Sequence, residues 1–177
     1  DAKYEAAVNY YESKDYYRAG LLLEELIPLF RGKTESEMTQ YYYAYCHYNQ
    51  DQLYLASYYF DAFVKTFPRS DKAEECSFMN CKALFLQTSP SNLDQTTTYE
   101  TLETIQEFVN SYKTSTRIPE CNDMVDKLNE KLEKKAYDDS KLYYKLRYYK
   151  SAVIALENFL KSFPSSKYEE EINFMKI

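Results

Sequence analysis

The sequence predicts an all-α chain of stacked, antiparallel helix pairs, and three observations carry that prediction. One apolar pattern recurs four times along 177 residues. Glycine, which weakens helices, occurs only twice. Most of the five prolines (Pro28, Pro68, Pro90, Pro119, Pro164) fall where a copy of the pattern ends or begins.

The second helix of each pair carries the clearest register. With Ala19, Ala56, Thr101 and Ala152 as a common origin, four residues later come Leu23, Phe60, Ile105 and Leu156. Seven later come Leu26, Phe63, Phe108 and Phe159, eight later Ile27, Val64, Val109 and Leu160, and eleven later Phe30, Phe67, Tyr112 and Phe163. These intervals place one apolar stripe on one face of an α-helix. The first helix of each pair is found by counting back. Tyr4, Tyr41 and Tyr137 lie fifteen residues before the origins, Ala7, Ala44 and Ser140 twelve before, and Tyr11, Tyr48 and Tyr144 eight before. Small residues at matched places let paired helices approach closely.

Four units follow in order, at about 1–33, 36–70, 72–115 and 119–166, in one domain of 177 residues. Unit 1 contains Pro28, which should end or kink its second helix. Unit 2 closes on Phe67-Pro68. Unit 3 fits the register, with Phe78, Cys81 and Phe85 in the aromatic, small and aromatic places, if its internal loop is eight residues longer. That loop is expected at Ser89–Tyr99, a Ser/Pro/Asn/Thr cluster. Unit 4 opens with one long helix from about Pro119 to Leu146, whose last third is the first helix of the pair. Met124, Leu128 and Leu132 line one side of it, and Asp123/Lys127 and Glu130/Lys134 are expected to pair on the other. Residues 167–177 read as the start of a fifth unit. Because the chain opens at Asp1 without methionine, a fragment or processed form is expected.

The origins lie 37, 45 and 51 residues apart. Over nearly the whole chain the pattern resembles the tetratricopeptide (TPR) family, whose period is about 34. The resemblance implies a right-handed superhelix of antiparallel helix pairs whose first helices line a concave groove that binds peptides. Tryptophan is absent, and so is the glycine that family places in the turn within each unit.

The formal net charge of −6 argues against a nucleic-acid partner, which requires a basic surface. No apolar run approaches the roughly 20 residues of a membrane span. Catalytic chemistry has no foothold. The single histidine, His47, has no serine–aspartate grouping around it, and neither a phosphate-binding glycine loop nor HExxH occurs. Carboxylate groups such as Glu24/Glu25, Glu74/Glu75 and Glu169/Glu170/Glu171 read as solvated helix faces. Cys46, Cys76, Cys81 and Cys121 lack CxxC spacing, so neither a metal nor a cofactor is expected. Cys81 stands at a small-residue place, as a buried substitute for alanine.

The 21 tyrosines are the functional clue, because they crowd the first helices. By TPR geometry, Tyr4, Tyr41 and Tyr137 form one groove-facing rank and Tyr11, Tyr48 and Tyr144 a second, seven residues on. With Tyr45, these are the expected peptide-binding residues. A tyrosine offers apolar area plus a hydroxyl for a peptide backbone at low entropic cost. The competing reading is that the rings pack one helix against the next; both stay open at the level of sequence.

Units 2 and 4 end alike, in Phe67-Pro-Arg-Ser70 and Phe163-Pro-Ser-Ser166, which places Ser70 and Ser166 near a helix N-cap. These endings resemble periplasmic TPR proteins of Gram-negative bacteria, above all the BamD family of lipoproteins in the β-barrel assembly machinery. The stretches from Tyr4 to Ala19 and from Tyr137 to Ala152 are similar to that family too. The resemblance implies a non-enzymatic scaffold on the periplasmic face of the outer membrane, held by an N-terminal lipid outside this chain. Its implied partners are unfolded outer-membrane proteins, the barrel-forming subunit and the other subunits of the machinery. Three alternatives stand beside it: a Tol-Pal-associated periplasmic TPR adaptor, a carbohydrate-binding outer-membrane lipoprotein, and the TPR arm of an enzyme whose catalytic domain lies elsewhere.

Overall fold

The structure is a computed structural model, and it describes residues 2–176. Asp1 and Ile177, the outer ends of the first and fifth predicted units, lie outside the described residues. The elements are α1 (Ala2–Glu12), α2 (Tyr16–Leu29), α3 (Glu35–Asn49), α4 (Leu53–Thr66), α5 (Ala73–Gln87), α6 (Thr96–Ser111), α7 (Ile118–Lys145), α8 (Tyr149–Ser162) and α9 (Glu169–Met175). From α1 to α8 each helix packs on its neighbours in sequence, and α1 also reaches α3 across the intervening helix. This is the stack of antiparallel helix pairs that the periodicity predicts.

The repeated stripe is the core. Leu23, Phe60, Ile105 and Leu156 are buried, as are Leu26, Phe63, Phe108 and Phe159 seven places after the origins. The origins Ala19, Ala56, Thr101 and Ala152 are buried as well, and so are the small residues Ala7, Ala44 and Cys81 opposite them. Ser140, the fourth of that set, is only half-buried. Aromatic edges then join the two helices of a pair in each later unit. Tyr41 meets Phe63 at 6.2 Å, Phe78 meets Phe108 at 5.8 Å and Tyr137 meets Phe159 at 6.0 Å between centroids. Each such contact contributes about 0.5–1.5 kcal/mol beyond area burial.

The turn within units 1, 2 and 4 is solved without glycine. Lys14, Asp51 and Arg147, each five residues before its origin, adopt left-handed φ of 64°, 60° and 64°. In unit 1 the Asp15 N–H donates to Tyr10 O at 2.9 Å and the Lys14 N–H to Tyr11 O at 3.0 Å. Gln52 to His47 and Asp51 to Tyr48, then Tyr148 to Tyr143 and Arg147 to Tyr144, repeat that pair of bonds. It is the Schellman arrangement, in which the left-handed residue lets the chain turn back on the helix's own last carbonyls.

Unit 3 connects differently, and its loop is shorter than expected. α6 begins at Thr96, so the loop is 88–95 and the residues up to Tyr99 are helical. Buried Gln95 organises the turn: its side-chain amide donates to Pro90 O and Leu93 O, and its Oε1 accepts from Thr98 Oγ1. The Thr96 N–H bonds Asp94 Oδ1 at 3.0 Å. These anchors start the helix before the polar run has ended.

α7 is the single long helix expected, with Pro119 in its first turn. Cys121, Met124 and Leu128 belong to the core of units 2 and 3, whereas Tyr137 belongs to a separate core with Leu156, Phe159 and Ile172. The helix is thus a rod shared by two cores. Its predicted ion pairs Asp123/Lys127 and Glu130/Lys134 do not form among the described residues. Lys134 and Lys135 instead reach forward one turn to Asp138 and Asp139.

The unit endings hold the stack through serines. Ser70 Oγ donates to Glu37 Oε1 at 2.5 Å and accepts the Lys72 N–H at 2.9 Å. Ser115 does the same with Glu74 at 2.6 Å and the Arg117 N–H at 3.1 Å. Ser166 accepts the Tyr168 N–H at 3.1 Å. The serine therefore closes the turn before the next helix rather than capping its first residue, because the helix starts two or more residues later.

Candidate functional site

The first helices carry their tyrosines as a connected ribbon in units 1 and 2. Tyr11 of α1 meets Tyr42 of α3 at 4.8 Å, Tyr42 meets Tyr41 at 5.6 Å, and Tyr41 meets Tyr45 at 4.9 Å. Tyr45 and Tyr48 both lean on Phe60, at 5.0 Å and 6.3 Å. All five tyrosines are half-buried. One side of each ring packs downward, and the rest remains accessible.

The ribbon ends on a carboxylate. Tyr41 and Tyr45 both donate their hydroxyls to Glu75 Oε1 of α5, at 2.9 Å and 2.5 Å. The Lys72 ammonium lies 5.6 Å from the centre of the Tyr41 ring. Burial raises the Tyr11 phenol to about 12, with smaller contributions from Cys46, Tyr16, Tyr42 and Glu75. Burial raises the Tyr41 and Tyr45 phenols too, and their bonds to Glu75 raise them further. Both stay protonated across the physiological range and keep donating. The surface so built joins apolar ring area to a carboxylate whose second oxygen, Oε2, has no protein donor among the described residues. An extended segment laid across it could bury apolar side chains on the rings and place a backbone N–H or a cation at Glu75.

The predicted residues divide by position. Tyr11, Tyr41, Tyr45 and Tyr48 are brought together. Tyr4 stands at the margin, half-buried and edge-on to Phe30 at 6.0 Å. Tyr137 corrects the expectation of a continuous rank. It is only 4% exposed, stacks on Tyr168 at 4.0 Å and bonds the Lys141 ammonium, so α9 covers it. Tyr144 meets Tyr149 at 5.9 Å and lines a different cleft of about 610 Å³ with Phe174 and Val153.

Two ribbon members escape a reading by register. Tyr42 sits one residue off the repeat, yet it carries the link from α1 to α3. Glu75 and its neighbour are not solvated helix-face residues, since Glu74 accepts from Ser115 and Glu75 from two tyrosines. The available signal was spacing: Glu75 follows Tyr41 by 34 residues, close to one repeat.

No competing chemistry gathers elsewhere among the described residues. His47 stacks on Tyr59 at 5.1 Å, and its Nδ1 meets Gln52 Oε1 at 2.5 Å. The four cysteines are free and buried, and burial raises Cys46, Cys76 and Cys81 to about 12. No cluster that could hold a metal ion occurs among the described residues.

Comparison with protein families assigns the chain. Residues 1–177 match the model of the YfiO family, described as outer membrane lipoprotein. The chain belongs to this family, the BamD type of outer-membrane lipoprotein. No curated protein matches the sequence. Membership selects the BamD resemblance over the Tol-Pal-associated and carbohydrate-binding alternatives, and it places the protein on the periplasmic side of the outer membrane. None of the described helices is long and apolar enough to cross a membrane.

Proposed function

We propose that the protein is a non-enzymatic scaffold of the β-barrel assembly machinery. It holds segments of unfolded outer-membrane proteins on the Tyr11–Tyr42–Tyr41–Tyr45 ribbon while other surfaces engage the barrel-forming subunit. The observation that supports this reading most is the junction of the ribbon with Glu75, where aromatic area meets a carboxylate held by two phenols. A strand-forming client segment alternates apolar and polar side chains. Its apolar residues find the rings, and its backbone N–H groups find the hydroxyl and carboxylate oxygens.

The test is titration with a fluorescent peptide corresponding to the C-terminal strand of an outer-membrane barrel protein, read by anisotropy. Replacing Tyr41, Tyr45 and Tyr48 together with alanine should weaken binding about tenfold or more, the order expected when aromatic anchors are lost, while circular dichroism stays helical. Tyr41→Phe/Tyr45→Phe keeps the rings and removes both hydroxyls, so it should lose only part of that affinity. Unchanged affinity in the alanine variant would sink the reading.

A further inference from the structure

The second helices of the pairs carry a separate repeat on the side away from the groove. Two residues before the origins stand Tyr17, Tyr54 and Tyr99, at 66%, 77% and 58% exposure, and two after the second origin stands Tyr58 at 61%. The side chains of Tyr17, Tyr54 and Tyr99 make no aromatic ring contact or hydrogen bond among the described residues. Rings placed at one register on three consecutive second helices, each more than half exposed, are unlike the scattered apolar residues of an ordinary surface.

Between α4 and α6 this surface opens into a cleft of about 370 Å³, with Tyr54 and Tyr58 on one side and Glu100 and Glu107 on the other. Asn80 of α5 forms part of its lining. Asn80 is only 9% exposed; its Oδ1 accepts from Ser57 Oγ at 2.8 Å, and its two amide N–H donors have no acceptor among the described residues. The amide nitrogen is open to the cleft, so its donors are free to meet an oxygen of a bound segment. Asp61, also in the lining, is already paired with Lys65 at 2.6 Å, whereas Glu100 and Glu107 have no ion-pair partner among the described residues.

We propose that this cleft is a second docking site, for an extended segment of a partner protein that carries arginine or lysine. The cation sits against the faces of Tyr54 and Tyr58 and faces the Glu100 and Glu107 carboxylates. The Asn80 amide donates to a backbone carbonyl of the same segment. Charge selects this occupant: two unpaired carboxylates on a chain of net charge −6 repel phosphate and an anionic membrane surface. A neutral sugar would stack on the rings and leave Glu100 and Glu107 without an ion-pair partner. The site stands apart from the groove, and its argument does not rest on what the groove binds.

The experiment is a two-dimensional NMR titration of the ¹⁵N-labelled chain with three probes: a capped alanine peptide containing two arginines, its counterpart with two glutamates, and cellohexaose. The arginine peptide should shift the Asn80 side-chain amide signals, with an affinity that weakens as salt is added. Glu100→Gln/Glu107→Gln should lower that affinity about tenfold, the scale of two partly screened charge contacts. Tyr54→Ala/Tyr58→Ala should lower it as well, while Tyr41→Phe/Tyr45→Phe leaves it unchanged. All four replaced cleft residues are at or near the surface, and the amide spectrum itself reports that each variant is folded. Overturning results are Asn80 signals that do not move, an equal response to the glutamate peptide, a response to cellohexaose in place of the arginine peptide, or full affinity in the double glutamine variant.

Discussion

Replacing Lys14, Asp51 and Arg147 with glycine should stabilise the protein. Each holds a left-handed backbone, at φ of 64°, 60° and 64°, and each side chain is exposed, so substitution removes no packing. The left-handed conformation costs an L-residue about 1–2 kcal/mol. Glycine relieves this but loses about 0.5–1 kcal/mol more backbone entropy on folding. The net gain is about 0.5–1 kcal/mol at Lys14 and Arg147, and less at Asp51, because aspartate tolerates this region better. Together the three should add about 1–2.5 kcal/mol, which raises the melting temperature by about 3–8 °C for a chain of this size. Urea midpoints and thermal melts followed by circular dichroism read both quantities. Lys127→Gly, at an exposed site inside α7, is the control and should cost about 1 kcal/mol. If the triple variant is no more stable than the parent while the control loses stability, the account of the turns is wrong.

Four further outcomes are expected. In a double-mutant cycle, Glu75→Gln and Tyr45→Phe should couple by at least about 0.5 kcal/mol, since they share a 2.5 Å bond; strict additivity would contradict it. Stability should fall with alkali, because the folded-state values of Cys46, Cys76 and Cys81 rise from 9.0 to about 12 and that of Tyr11 from 10.0 to about 12. Their contribution is complete below pH 9 and is lost as the pH climbs toward about 12, so a urea midpoint in reductant that stays flat over that window would refute it. Ser115→Ala should cost about 1 kcal/mol by urea denaturation, from its bonds to Glu74 and the Arg117 N–H. Leu128→Ala, at a fully buried position where α7 enters the larger core, should cost about 2–5 kcal/mol, and a loss below 1 kcal/mol would mean the site collapses around the gap.

The helices of this protein were legible because burial repeats. Leu26, Phe63, Phe108 and Phe159 occupy one register, and the structure buries all four. The Schellman turns show how a missing glycine misleads. The backbone adopts the same conformation with Lys14, Asp51 and Arg147, since closing a helix pair outweighs a strain of about 1 kcal/mol. Ser89–Tyr99 reads as loop from composition, yet the bonds made by Gln95 and Asp94 start α6 at Thr96. The tyrosine ranks were half legible. Register finds Tyr11, Tyr41 and Tyr48, but it treats Tyr137 as their equal although α9 covers it.

The sequence by itself determined the helix pairs, their order, the long α7 rod and the identity of the core stripe. Each follows from apolar side chains recurring at helical intervals, and that information is local. Tertiary structure alone decided which tyrosines stay accessible, that Tyr42 links α1 to α3, and that Glu75 is the acceptor for Tyr41 and Tyr45. It also decided that Tyr54 and Tyr58 face Glu100 and Glu107 across a cleft floored by Asn80. Those pairings join residues about 20 to 50 positions apart on different helices, and their geometry depends on how each helix rotates and tilts against the next. Periodicity specifies the buried face of a helix; it leaves open which exposed side chains of neighbouring helices will meet.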